Sequence, residues 1–313
     1  MLDAAQRSAW DGDGFFILPG FADSAVCKDM LERVSELCAQ AESGQKTALE
    51  FRMPEPALRD APGSAAERTS KLFRVHRHEP VFRAFACDPR LLAIVAGILG
   101  PDLDCFLSQF IFKNPAALGQ PWHQDAFYFP FDRGPQVGVW LAVTEATLAN
   151  GPLWVLPGSQ REPVHAVEPD KRPHAQFGYV EITDHDTSAA VPVLLQPGDL
   201  LVFHGHLMHK STDNRSSGMR AAMVYHYGEA GTVDATLERK GYTINDWLPV
   251  LRGGLPVGDD ACSRRSRPAA SIMWCCACAR SSRRCASTRR CSTAASSGAS
   301  TRWVWCRCAW ERA

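Results

Sequence analysis

The sequence has no apolar stretch long enough to cross a membrane and no basic, apolar leader. Its opening, MLDAAQRSAWDGDG, is polar and carries three Asp. Neither a membrane span nor a secretory segment is expected. Paired cysteines are missing from the body of the chain. Cys27, Cys38, Cys87 and Cys105 lie scattered among apolar residues, the pattern of reduced, buried thiols in an intracellular protein and not of a disulfide framework. A cytoplasmic location is the expectation. Net charge is absent as well, with 34 basic and 34 acidic residues, but the zero hides an asymmetry. Residues 1–260 hold 23 basic and 33 acidic side chains, an excess of acid that argues against nucleic acid as a partner.

The end of the chain lacks more. From Ala261 to Ala313 there is no Leu, Lys, Asp, Asn, Gln, Phe, Tyr or His, yet there are 11 Arg, 8 Cys and 4 Trp. Folded domains rarely exclude Leu, so a domain is expected over residues 1–257, followed by an aberrant Arg/Cys/Ser-rich tail, 258–313, that is disordered and arises from a coding-frame error near Val257 to Ala261. Cys275-x-x-Cys278 and Cys306-x-Cys308 lack the spacing and His partners of a zinc knuckle. A basic nucleic-acid arm is the other functional alternative.

The body, with a chain hydrophobic content of 45%, has enough apolar residues for a substantial core. Residues 4–10 form a short helix candidate, and Gly14–Leu18 reads as a strand. An amphipathic helix follows, capped by Asp23 or Ser24, with Val26, Met30, Leu31, Val34, Leu37 and Cys38 on the face that would pack against a sheet. Periodicity disappears over residues 41–70, a long connection suited to a lid. Lys71–His76 reads as a strand, and helices are predicted over Pro80–Ala86 and Pro89–Leu99. After Pro101 short strands dominate: Asp104–Phe112, Trp122–Phe129, Val137–Val143, Leu153–Leu156, Val191–Leu195, Leu200–Phe203 and Met219–Tyr227. Such a series predicts a mainly β fold with flanking helices, an antiparallel jelly roll or double-stranded β-helix of cupin type. The irregular segment 160–190, with His165, His174 and His185, is expected at the mouth of the barrel.

The most telling stretch is Pro121–Phe131, PWHQDAFYFPF. Read as a strand, it turns His123 and Asp125 to one face, and its aromatic company implies burial. An H-x-D pair alone is common by chance, and a polar pair on a strand surface is the bland alternative. A buried carboxylate beside an imidazole calls for a counter-charge such as a divalent metal, and a second His would complete the facial set of non-haem Fe(II) oxygenases. Three candidates, His204, His206 and His209, crowd one segment, and spacing does not choose among them. Arg220, 11 residues after His209, would adjoin it if a hairpin joins the two, and a guanidinium suits a carboxylate ligand. A structural Arg–acid pair serves the same spacing equally well. Ser211 offers a hydroxyl, and His226 falls on the same face as Arg220.

HQDAFYFPF, VWLAV, NGPLWVLPGS and PGDLLVFHGHLMHKSTDNRSSGMRAAMVYHY resemble, in order, the motifs of the phytanoyl-CoA dioxygenase family of Fe(II)/2-oxoglutarate enzymes. The resemblance covers most of residues 10–230. It implies His123, Asp125 and His209 as iron ligands, and Arg220 and Ser211 as partners of the distal carboxylate of 2-oxoglutarate. It also implies Trp140, Gln109 and Lys71 as further walls of that pocket. On composition alone Trp140 reads as core and Gln109 as a strand-edge residue. The cofactors implied are Fe(II), 2-oxoglutarate and O2, and the reaction implied is a hydroxylation or a related oxidation, because Asp125 occupies the position that related halogenases leave to halide. A small-molecule substrate is favoured over a CoA thioester, since the body shows no basic cluster for CoA phosphates. Substrate choice is expected to lie in segments 41–70 and 160–190. The competing readings are a non-catalytic jelly-roll protein that binds metal or ligand, and a metal oxidase independent of 2-oxoglutarate. For the tail, one of the other two reading frames of the gene is expected to continue past codon 257 with a Leu-containing sequence; the frame-error reading fails if neither does.

Overall fold

A computed structural model describes residues 2–258, apart from 59, 61, 174, 176, 177 and 237–245. The chain divides into two units, Met1–Ala277 and Cys278–Ala313, and the described residues belong to the first. From residue 259 onward the expected tail lies outside them, as does His174.

The elements in chain order are α1 (Ala4–Asp13), β1 (Phe15–Leu18), α2 (Ser24–Glu42), β2 (Phe51–Pro54), β3 (Thr69–Phe73), α3 (Pro80–Ala86) and α4 (Pro89–Leu99). Then come β4 (Leu103–Lys113), α5 (Asp125–Tyr128), β5 (Val137–Ala142), β6 (Leu153–Val155), β7 (Glu168–Pro169) and β8 (Val180–Glu181). The last six are β9 (Val191–Val193), β10 (Leu200–His204), β11 (His209–Ser211), β12 (Arg220–Glu229), β13 (Leu248–Arg252) and β14 (Leu255–Pro256). A nine-stranded antiparallel sheet runs β1-β10-β5-β12-β4-β13-β14, with β3 also on β4 and β2 on β3; a three-stranded sheet runs β11-β6-β9. This is the cupin-like jelly roll expected.

Strand alternation divides the large sheet into two faces with different work. The outer face presents Leu72, Phe110, Phe112, Val139, Leu141, Val202, Met223, Tyr225 and Tyr227 to Met30, Val34, Phe82, Phe85, Leu91, Leu92 and Val95 of the helices, all buried. Each such large apolar side chain contributes about 1.5–3 kcal/mol on burial. Tyr225 and Tyr227 keep their hydroxyls satisfied by donating to the carbonyls of Phe82 and Ala86 at 3.0 and 2.9 Å. The inner face carries Trp140, Ala142, Leu201, Phe203, Ala222 and Val224 against Leu153, Val155 and Val193 of the small sheet. Arg220, His226 and Lys113 share that inner face by register.

Three local expectations are corrected. Trp122–Phe129 is not a strand: only His123 keeps a bridge, and Asp125–Tyr128 is a single helical turn. A continuous aromatic run fits either backbone, and here Ala126 and Phe127 donate to the carbonyls of Gly205 and Gln124. No hairpin joins His209 to Arg220: β11 belongs to the small sheet and β12 to the large one, so the connection crosses the sandwich. Residues 41–70 contain β2, and the Lys71–His76 strand is shifted to Thr69–Phe73, ended by Arg74 in the left-handed region (φ 59°).

Gly138 of β5 sits opposite Phe203 and His226. A Cβ there would overlap the buried Phe203 ring, which itself lies 5.2 Å from the His209 ring. Gly138→Ala is therefore expected to lower stability by about 1–3 kcal/mol in urea unfolding. Gly12→Ala, with nothing within 4 Å of the added atom, should be neutral or slightly stabilising. Equal effects would remove the overlap argument.

Candidate metal and carboxylate site

His123 and His209 face each other as an antiparallel pair, each backbone N–H donating to the other's carbonyl at 2.9 Å. Directly opposed residues project to one side, and the imidazole centroids stand 4.1 Å apart. Both rings are set the same way. His123 Nδ1 donates to the Pro121 carbonyl at 2.7 Å and His209 Nδ1 to that of Leu207 at 2.9 Å. A carbonyl only accepts, so each neutral ring turns a lone pair at Nε2 inward.

The extended backbone at Gln124 (φ −116°, ψ 133°) brings Asp125 to the same side as His123, although the strand stops there. Asp125 Oδ1 lies 3.6 Å from His123 Nε2 and 3.7 Å from His209 Nε2. Its other oxygen accepts from His226 Nε2 at 2.9 Å. The three donor atoms lie within 4.8 Å of one another, and all three residues are buried. Neighbouring donors on an octahedral ion bound at about 2.1 Å would sit about 3 Å apart, so each carboxylate–imidazole separation would need to close by less than about an ångström. The protonation states suit it. Burial would raise the Asp125 pKa, but the imidazoles of His209, His123 and His226 hold it well below the usual carboxylate range. Burial, reinforced by His123, pushes His209 down to about 4, leaving the ring neutral.

Beside the triad lies a cationic corner. Arg220, 1% exposed, donates Nη2 to the Gly151 carbonyl at 2.9 Å and places its guanidinium 5.3 Å from the centroid of the Trp140 ring. Its Nε and Nη1 have no partner, and burial pushes its pKa down to about 10. Among the described residues no acid pairs with it, which removes the structural ion-pair reading. Lys113, opposite Arg220 in β4, donates to Ser211 Oγ at 2.8 Å and to the Thr212 carbonyl at 2.6 Å. Burial first, and Arg220 second, lower its pKa well below the usual amine range. Ser211 Oγ also accepts from the Gln120 N–H at 3.0 Å, so its acceptor positions are taken and its own proton is free to donate. Two unmet guanidinium N–H groups and a hydroxyl are donors that could receive a carboxylate.

Of the remaining candidates, Trp140 serves both as inter-sheet core and as the wall under Arg220. Gln109 is half-buried in the same inner-face row, between Phe73 and Val224. Lys71 is buried, with Nζ 3.4 Å from Gln120 Oε1 and 4.9 Å from the centroid of the Tyr179 ring. Gln120 donates to His123 Nε2 at 3.0 Å, a bond that a metal on that nitrogen would replace, and links Lys71 to the triad. His204 points to the other face, against Trp10, and His206 packs on His204. Sequence reasoning missed Lys113 and Gln120. Lys113 was recoverable from strand alternation, two residues beyond Ile111 on the inner face, whereas nothing local marked Gln120.

The fold and site define the class: a jelly-roll oxygenase dependent on Fe(II) and 2-oxoglutarate. A model of the family "Phytanoyl-CoA dioxygenase (PhyH)" matches residues 10–222, and the chain belongs to that family. It is 29% identical over 270 residues to the phytanoyl-CoA dioxygenase domain-containing protein 1 of Rattus norvegicus, covering 74% of this chain and 92% of the relative. It is 27% identical over 278 residues to the peroxisomal phytanoyl-CoA dioxygenase of the same species, covering 83% and 80%. Among solved structures, the non-haem monooxygenase ThoJ shares the fold with a TM-score of 0.60 at 24% identity, over 82% of this chain and 91% of that one. EctD from S. alaskensis, solved with 2-oxoglutarate and 5-hydroxyectoine, aligns with a TM-score of 0.57 at 22% identity, over 73% and 76%.

His226 orients the carboxylate from behind, so its loss should loosen the metal without removing a ligand. His226→Leu is expected to weaken Co2+ or Fe(II) binding about 10–100-fold in calorimetric titration, while His204→Leu leaves it unchanged. Unaltered affinity in His226→Leu would cancel the orienting role.

Proposed function

We propose that His123, Asp125 and His209 hold a ferrous ion, that Arg220 and Ser211 hold the distal carboxylate of 2-oxoglutarate, and that the protein hydroxylates a C–H bond of a small molecule. With both bound, the iron and the keto acid supply the oxidising chemistry: substrate, 2-oxoglutarate and O2 become hydroxylated product, succinate and CO2. The chain's own part is placement. Asp125, ionised and clamped by His226, and the two rings, fixed through Nδ1, are preorganised to coordinate on one side only. Trp140 walls the carboxylate corner and excludes water from it, which strengthens each charge-assisted hydrogen bond made there. The observation that carries the reading is Arg220, buried with two unpartnered donors and no acid paired with it among the described residues.

Gln109 and Lys71 are assigned to the same pocket, with Lys71 reaching it through Gln120. Tyr179 against Lys71 and Tyr128 5.9 Å from the His123 ring bring residues 128 and 179 to the site's edge, which supports segment 160–190 as a substrate-determining wall. A cytoplasmic location is proposed with this function. It is supported by Cys27, Cys38, Cys87 and Cys105, all free, three of them buried.

Succinate formation from 2-oxoglutarate, followed with Fe(II) and ascorbate, is expected for the wild type and should vanish in His123→Ala and Asp125→Ala. Arg220→Ala is expected to raise the 2-oxoglutarate concentration for half-maximal turnover about 10–100-fold, the loss of one charged hydrogen-bond pair, with metal content intact. An unchanged requirement would take Arg220 out of its role.

A further inference from the structure

A second set of metal-ligating groups lies in segment 160–190, separate from the first. Glu162, His165 and His185 bring a carboxylate oxygen and two imidazole nitrogens within 4.8 Å of one another. Both rings approach the same atom: His165 Nε2 is 2.7 Å and His185 Nε2 2.8 Å from Glu162 Oε2. The rings stand nearly perpendicular, with centroids 5.0 Å apart, so both nitrogens point at one place without stacking.

Each member is held from a different direction. Glu162 N–H donates to the Ser159 carbonyl at 3.1 Å, and Ser159 Oγ is itself bonded to the Leu156 carbonyl and the Met208 N–H. His165 N–H donates to Gln124 Oε1 at 2.9 Å. His185 Nδ1 donates to the Asp186 carbonyl at 2.9 Å. That last bond matters most. With Nδ1 committed to that carbonyl, His185 is held with Nε2 aimed at Glu162 Oε2, where a proton on Nε2 completes the pair in the metal-free protein. A divalent cation placed there would take that proton's place and engage the second imidazole as well.

We propose that Glu162, His165 and His185 form a second divalent-cation site, of a chemistry suited to Zn2+, that staples segment 162–185 onto the first site. Two imidazoles and one carboxylate are a three-donor set that leaves a fourth tetrahedral position to water. Donors around such an ion sit about 3.3 Å apart, so the contacts open by about half an ångström to admit it. Side-chain exposures of 23%, 39% and 19% for His165, Glu162 and His185 leave room for entry. The staple joins residues 20 apart in sequence. It reaches the first site through Gln124, which stands between His123 and Asp125 and donates to the carbonyls of Pro163 and His206 at 3.2 and 2.9 Å. The site rests on its own geometry and does not require the first site's assignment to hold.

The test uses the full chain with its thiols alkylated, so that the tail cysteines bind nothing, and with His123→Ala, Asp125→Ala and His209→Ala vacating the first site. After equilibration with Zn2+ and gel filtration, elemental analysis is expected to find about one retained equivalent and a raised melting temperature. Adding Glu162→Gln and His185→Gln should abolish both. Zinc that is not retained, or is retained undiminished in the five-fold variant, overturns the proposal. Should the first-site variant fail to fold, alkylated wild type answers the same question. Two equivalents falling to one on Glu162→Gln/His185→Gln sustain the site, and any count that this pair leaves unchanged overturns it.

Discussion

The site depends on one reciprocal pair of backbone hydrogen bonds, between His123 and His209. Those two bonds bring imidazoles 86 positions apart in sequence to a common side and fix how far apart they stand. They also explain why the ligand stretch needs so little regular structure. A single bridge at His123 and one extended residue at Gln124 are enough to aim two candidate ligands, after which the chain is free to turn into α5. The rest of the local hydrogen bonding refines this: the carbonyls of Pro121 and Leu207 select the tautomers, and His226 selects which oxygen of Asp125 faces inward.

Strand β12 shows how a single strand serves both stability and chemistry. Its odd-numbered residues, Ala221, Met223, Tyr225 and Tyr227, are core beneath the helices. Its even-numbered residues, Arg220, Ala222, Val224 and His226, form one wall of the interior between the sheets. A slip of one residue would bury the tyrosines among the candidate ligands and turn Arg220 into the apolar layer, so register here is held by both faces at once. The tyrosine hydroxyls bonded to the helix carbonyls add a polar restraint to an otherwise apolar contact.

The carboxylate corner is electrostatically unfinished within the protein itself. Arg220 and Lys113 stand across from each other on β12 and β4, both buried, and their acceptors are carbonyls and a serine hydroxyl, with no carboxylate among them. Burial pushes both pKa values down, which is the protein's way of resisting two charges in one dry place. An arriving dianion would remove that penalty, by relief of desolvation as well as by contact.

By itself the sequence determined the fold class, the helices at 80–86 and 89–99, the apolar face of α2 and the identity of the candidate ligands. Each is a matter of local periodicity, capping or a motif whose members lie close in sequence or in a recognised order. It also marked Arg220 as suited to a carboxylate. Tertiary structure alone decided that Arg220 has no acid partner among the described residues, and that Lys113 and Gln120 join the site. It also decided that β9 and β10, and β11 and β12, part company between sheets. The reason is physical: periodicity reports which face a side chain takes, whereas partners across a sandwich are set by register and packing between strands far apart in sequence, and no stretch of residues carries that information locally.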